Sequence, residues 1–191
     1  MKRSTLIFTG FLGALLLATG CTSIRASQDY KQGITFSEMK TYGWKTVKQK
    51  ATGDVRIDNP LIDQRIRTAV DKVLTAKGYS LSASRPDVLV AYTYTIRPKI
   101  NGSSGGPVIG FGFGMGGRRS AVGISSGLGT DVEQVDEGQL VIDLSDGITG
   151  DLLWRGTSTS RVDTQATPEK TTTFFNSMVE KNLGQFPPEK K

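Results

Sequence analysis

Apolar residues recur along this chain with two different periods. From Asn59 to Gly78 the spacing is helical: Ile62, Ile66, Ala69, Val70, Val73 and Leu74 line one face. Asn59 suits an N-cap, Pro60 suits the first helical position, and Gly78 suits the left-handed residue that ends a helix. A second helix is predicted to open at Thr167-Pro168-Glu169 and to end at Gly184, with Phe174, Phe175, Met178, Val179 and Leu183 on its apolar face. Elsewhere the period is two. Val88, Val90, Tyr92, Tyr94 and Ile96 share one face of a predicted strand, and Leu89 and Ala91 on the other face suggest a central, well-covered position. Gln139 to Leu144 alternates, with Leu140, Ile142 and Leu144 inward. A turn at Ser145-Asp146-Gly147 and Thr149-Gly150 leads to a return strand from Leu152 to about Val162. Thr35 to Trp44 alternates loosely and is rich in aromatics, so it too reads as a strand.

This pattern predicts one α+β domain over residues 34–188, closed by Phe186-Pro187-Pro188. The expected sheet is mainly antiparallel, with about four strands and both helices packed on one face. The first strand, helix and next strand can also form a parallel unit, so the pairing of that first strand stays open.

Residues 102–130 depart from both periods. Glycine is dense, and Val108, Ile109, Phe111, Phe113 and Met115 are set among it, followed by Arg118 and Arg119. Gly112, Gly114 and Gly117 satisfy the spacing G-x-G-x-x-G. A nucleotide loop needs a helix directly afterwards, and Ser120 to Ile124 does not supply one, so no cofactor is expected. Glycine loses the most backbone freedom on ordering, so a mobile connection is predicted. Phe111, Phe113, Met115, Arg118 and Arg119 are its candidate contact residues, suited to anionic headgroups or an acidic partner. The competing reading is a hairpin extension packed on its own sheet.

The amino terminus changes the picture from a fold to an address. Lys2 and Arg3 precede an apolar run from Leu6 to Leu17, which gives way to Ala18-Thr19-Gly20-Cys21. A short positive region, an apolar core and small residues describe a secretory signal peptide, here residues 1–20. The run falls short of the roughly 20 apolar residues of a spanning helix. Its ending resembles the lipobox of bacterial lipoproteins, with Leu17 one place earlier than the usual leucine and Ala18 in its stead. The resemblance implies an acylated Cys21 and attachment to the lipid bilayer. Thr22, rather than aspartate, follows the cysteine, which by the same resemblance implies the outer membrane facing the periplasm. Residues 21–33 read as the lipidated cysteine and a flexible tether reaching roughly 20 Å.

Charge and composition remove function classes. The net charge is +6, yet both signs alternate along most of the chain and no basic stripe with interleaved aromatics appears, so nucleic acid is not an expected partner. There is no histidine, which excludes Ser-His-Asp and Cys-His catalysis and the common zinc sites. Cys21 is the single cysteine and has no partner for an internal disulfide. Carboxylates remain the available catalytic groups. Asp131, Glu133, Asp136 and Glu137 lie close together, and residues 131, 133 and 137 can share a strand face. Glycoside hydrolysis needs two carboxyls facing each other about 5 to 9 Å apart, and a solvated stretch of strand is the simpler reading. Trp44 and Trp154 read as core residues. Asp87 and Asp146 sit where carboxylates cap backbone N–H groups, with Arg155 as a partner for either.

Taken in order, several pieces resemble the DUF4136 lipoproteins, a domain of unknown function common in bacterial envelopes. They are Asp29-Tyr30, Phe36, Lys40-Thr41-Tyr42-Gly43-Trp44, Asn59, Ile66, Leu74, Lys77-Gly78-Tyr79 and Pro86-Asp87-Val88. Gly138, Asp143, Asp146, Leu153-Trp154-Arg155-Gly156 and Phe186-Pro187-Pro188 complete the set. The resemblance implies a fold and an address but brings no catalytic residues. The function expected is a non-enzymatic envelope module that binds a protein, peptidoglycan or lipid headgroups. The alternative is a carboxylate-dependent hydrolase acting on an envelope polymer.

Overall fold

The computed structural model describes residues 23–46, 49, 51–101 and 133–188. Among these residues six strands form one sheet: β1 (Arg25–Tyr30), β2 (Thr41–Trp44), β3 (Ser80–Leu81), β4 (Val88–Asn101), β5 (Glu133–Asp146) and β6 (Leu152–Arg161). Two helices, α1 (Pro60–Ala76) and α2 (Pro168–Leu183), complete the α+β fold. The strand order is β1-β6-β5-β4-β2-β3. β1, β6, β5 and β4 pair antiparallel, whereas β2 pairs in parallel with both β3 and β4.

Both helix boundaries follow local chemistry. The Asn59 side chain accepts from the Leu61 N–H at 2.9 Å, and Gly78 takes the positive φ of 88° that closes α1. Thr167 caps α2 by accepting from the Lys170 N–H. The helices bury Ile66, Val70, Leu74, Phe175, Met178 and Leu183 against Val90, Tyr94, Leu140, Ile142, Leu144 and Trp154. These strand residues alternate along β4, β5 and β6, so both helices cover the same face, as expected. Phe186 closes the core, edge-on against Phe36 at 5.4 Å and tilted against Trp154 at 5.2 Å.

Close approach of α2 to β6 fixes one glycine. Asn182 is fully buried and donates to the Leu140 carbonyl at 3.2 Å. A Cβ on Gly156 would collide with the Asn182 amide and the Trp154 ring.

Several expectations need correction. The sheet has six strands rather than about four, and it is mixed. Residues 25–30, expected within a tether, form β1 instead and pair along their whole length with β6. The ordered fold therefore begins before residue 34. The predicted strand from Thr35 starts only at Thr41, because Phe36–Glu38 is a single 3-10 turn that drops Phe36 into the core. The second face of β4 is less covered than expected: Leu89 and Ala91 are half-buried, and Thr93 is exposed.

Candidate functional site

A polar cluster that ties helix to sheet lies in the seam between α1 and strands β2 and β4. Asp63, Arg67 and Asp71 stand four residues apart, hence on one helix face. Tyr92 donates its hydroxyl to Asp63 at 2.6 Å, and Arg67 pairs with the same carboxylate at 2.9 Å. Tyr42 Oη and Trp44 Nε1 both donate to Asp71 Oδ1, at 2.8 and 3.1 Å. The Arg67 guanidinium also lies 4.4 Å above the Trp44 ring. Burial, reinforced by the bond to Asp71, pushes the Tyr42 phenol up to about 12. Burial and the bond to Asp63 likewise raise Tyr92. These phenols stay protonated at neutral pH and act as fixed donors. The bonds from Tyr42, Trp44 and Tyr92 all run from sheet to helix, so the cluster fastens α1 to the sheet.

Gln49 performs a related task on the flank of β4. Its Nε2 donates to the Tyr94 carbonyl at 2.8 Å and its Oε1 accepts from the Tyr94 N–H at 2.9 Å. One side-chain amide thus replaces a neighbouring strand where β2 has ended. Helical spacing can flag Asp63, Arg67 and Asp71 in the sequence; Gln49 carries no such signal.

The residues singled out by sequence fall into three groups. Cys21, the candidate contact residues Phe111, Phe113, Met115, Arg118 and Arg119, and Asp131 lie outside the described residues, as does the whole of 102–130. Of the carboxylate group, Asp136 and Glu137 are successive residues on β5, so their side chains leave opposite faces of the sheet. Asp136 pairs with Arg56 at 2.6 Å, and Glu137 with Lys99 at 2.7 Å. The two cannot face each other across a sugar. The third group is structural. Trp154 is fully buried, with its indole N–H donating to Gln28 at 2.9 Å; Trp44 is half-buried in the seam. Asp87 accepts from the Lys40 and Thr41 N–H groups, each at 2.8 Å, and these bonds hold its carboxyl below the usual range. Asp146 is lowered in the same way by the Thr149 and Ile148 N–H groups. Arg155 pairs with neither. It binds Asp143, directly opposite on β5, through two bonds of 2.6 and 2.7 Å.

Two hollows flank these elements. A crevice of about 370 Å³ lies beside the seam, lined by Trp44, Gln49, Ile57, Asp63, Arg67 and Tyr92. A broad open groove of about 1240 Å³ runs along the start of α2, with Arg56, Arg65, Ile96, Lys170 and Phe174 in its walls. Among the described residues no cluster of His, Cys, Asp and Glu could hold a metal ion, and no helix is long and apolar enough to cross a membrane.

Comparison with known proteins bears on fold and family. A PDZ domain protein from Parabacteroides distasonis is similar, with a TM-score of 0.51 and 15% identity over 87% of this chain. The match covers 36% of that protein, so this chain spans just over a third of its length. The PelC dodecamer from Paraburkholderia phytofirmans matches with a TM-score of 0.47 and 9% identity, over 87% of this chain and 99% of that one. At 15% identity the likeness to the PDZ domain protein is one of fold alone. No curated protein matches the chain. The DUF4136 profile, a domain of unknown function, matches residues 26–188, from the second residue of β1 to the end of the described chain, and the chain belongs to that family.

Proposed function

We propose that this chain is a membrane-anchored envelope lipoprotein whose domain is a non-enzymatic binding module facing the periplasm. The observation that carries the reading is the place of its lone cysteine. Cys21 ends an apolar leader with small residues before it, and only residues 22–24 separate it from β1. Three residues extend at most about 10 Å, so an acylated Cys21 holds the β1 end of the sheet at the headgroups. The domain then lies on the bilayer surface instead of ranging over it on a tether. Two or more acyl chains make such attachment stable. Thr22 after the cysteine favours the outer membrane.

The pairing of the polar groups supports binding over catalysis. Asp136 and Glu137 are engaged by cations on opposite faces, and Asp63 and Asp71 are consumed in the seam. The partner classes that suit this place are an envelope protein, peptidoglycan or lipid headgroups. Cys21→Ser is the direct test of the anchor. The variant is expected to lose the acyl mass and move from the membrane to the soluble fraction. A native protein that fractionates with membranes while its Cys21 thiol is unmodified would contradict the reading.

A further inference from the structure

We propose that β1 is a homotypic interface, through which two copies of this chain pair antiparallel with Ser27 on the two-fold axis. Among the described residues β1 is bonded on one side only, and all six of its residues are exposed. The phase of its hydrogen bonds is fixed by Lys31, whose N–H donates to the Leu153 carbonyl at 2.9 Å. Alternation along an antiparallel ladder then turns the backbone groups of Arg25, Ser27 and Asp29 toward β6. Those of Ala26, Gln28 and Tyr30 face outward. The Tyr30 N–H is met by the adjacent Asp29 carboxylate at 2.9 Å, which agrees with this phase.

Natural sheets blunt such edges with proline, bulges, short strands or a covering group. β1 has no proline, and its register with β6 runs unbroken. It does carry charges, and their placement favours one self-pairing; centring on Tyr30 also opposes unlike charges, Asp29 against the partner's Lys31, but leaves only Tyr30 of β1 in the ladder. Centring two copies on Ser27 sets Ala26 opposite the partner's Gln28, outward-facing backbone against outward-facing backbone. It also sets Arg25 opposite the partner's Asp29, and symmetry repeats the pair. These charges fall at the non-hydrogen-bonded positions, where opposing side chains stand closest. Among the described residues Arg25 has no ion-pair partner within one chain. Centring on Gln28 would place Arg25 opposite the partner's Lys31, like against like. Centring on Ala26 leaves both charges without an opposite. The favoured register extends two six-stranded sheets into one, with both helix layers on the same side. A six-residue ribbon is a small contact, so the dimer is weak and depends on concentration. The pairing stands independently of the anchor; acylation would raise the encounter rate by confining both copies to a surface.

Sedimentation velocity of the purified protein in detergent, over about a hundredfold range of concentration, tests this. Arg25→Asp and Asp29→Arg should each weaken the dimer by about tenfold or more, and the double exchange should restore it to within about threefold. On a Cys21→Ser background, Ser27→Cys should form an intermolecular disulfide faster than Ile148→Cys, a fully exposed turn position. Monomer throughout, with Ser27→Cys linking no faster than the control, would overturn the proposal. So would a dimer that either charge reversal leaves intact, or one that the double exchange fails to restore.

Discussion

The two long free flanks of this sheet are managed in opposite ways. β4 outruns β2, and its outward backbone groups fall on the even residues, the same set as Val90, whose carbonyl accepts from Lys45 N–H at 2.8 Å. Tyr94 in that set is closed by the Gln49 amide, and Pro98 offers no N–H at all. β1 has no proline, and its Asp29 carboxylate meets only the Tyr30 N–H of the outward set. The difference separates a flank that the domain closes at Tyr94 and Pro98 from one that, among the described residues, it leaves open at Ala26 and Gln28. Only residues 22–24 separate β1 from Cys21, so the available flank lies at the end of the domain proposed to meet the membrane.

The comparison can be broken most forcefully on β1 itself. Ser27→Pro removes an N–H that faces β6 and should cost about 3 kcal/mol in a denaturant titration. Ala26→Pro removes an N–H that faces outward. It should leave stability within about 1 kcal/mol of the parent while abolishing self-pairing. Equal losses from the two would show that the hydrogen-bond phase is wrong. On the sealed flank, Gln49→Ala strips both partners from the Tyr94 backbone and should cost about 1–2 kcal/mol, measured the same way. The smallest effect comes from acid. Asp87 ties the start of β2 to β4, and its native pKa is depressed, mainly by the Lys40 N–H. Its contribution is complete above the unfolded aspartate value near 4 and disappears as pH falls through the lower native value. Asp87→Asn should therefore flatten the stability profile below about pH 4 and leave its neutral shape unchanged.

How much of this was legible follows from how local each signal is. Asn59, Pro60 and Gly78 act on their own helix, and α1 starts and stops where they direct. Leu140, Ile142 and Leu144 announced their inward face by alternation alone. β1 could not be seen that way, because Arg25 to Tyr30 are exposed on both faces and impose no period. β3 is only two residues long. Phe36 was drawn into a predicted strand by its aromatic neighbours, although its burial comes from a turn. In the seam, the spacing of Asp63, Arg67 and Asp71 was readable but their partners Tyr92, Tyr42 and Trp44 were not, since these lie on other elements. Arg155 shows the same limit: Asp143 is its cross-strand neighbour only once the β5–β6 register is known.

Residue-resolved amide hydrogen exchange on dilute protein tests the contrast between the flanks most directly. Ala26 and Gln28 should exchange at least about tenfold faster than Ser27 and Asp29, and Tyr94 should be protected like a central strand residue. Raising the concentration should then slow Ala26 and Gln28 without changing Tyr94. Ala26 and Gln28 as protected as Ser27 in dilute solution, or Tyr94 as open as Ala26, would contradict the account.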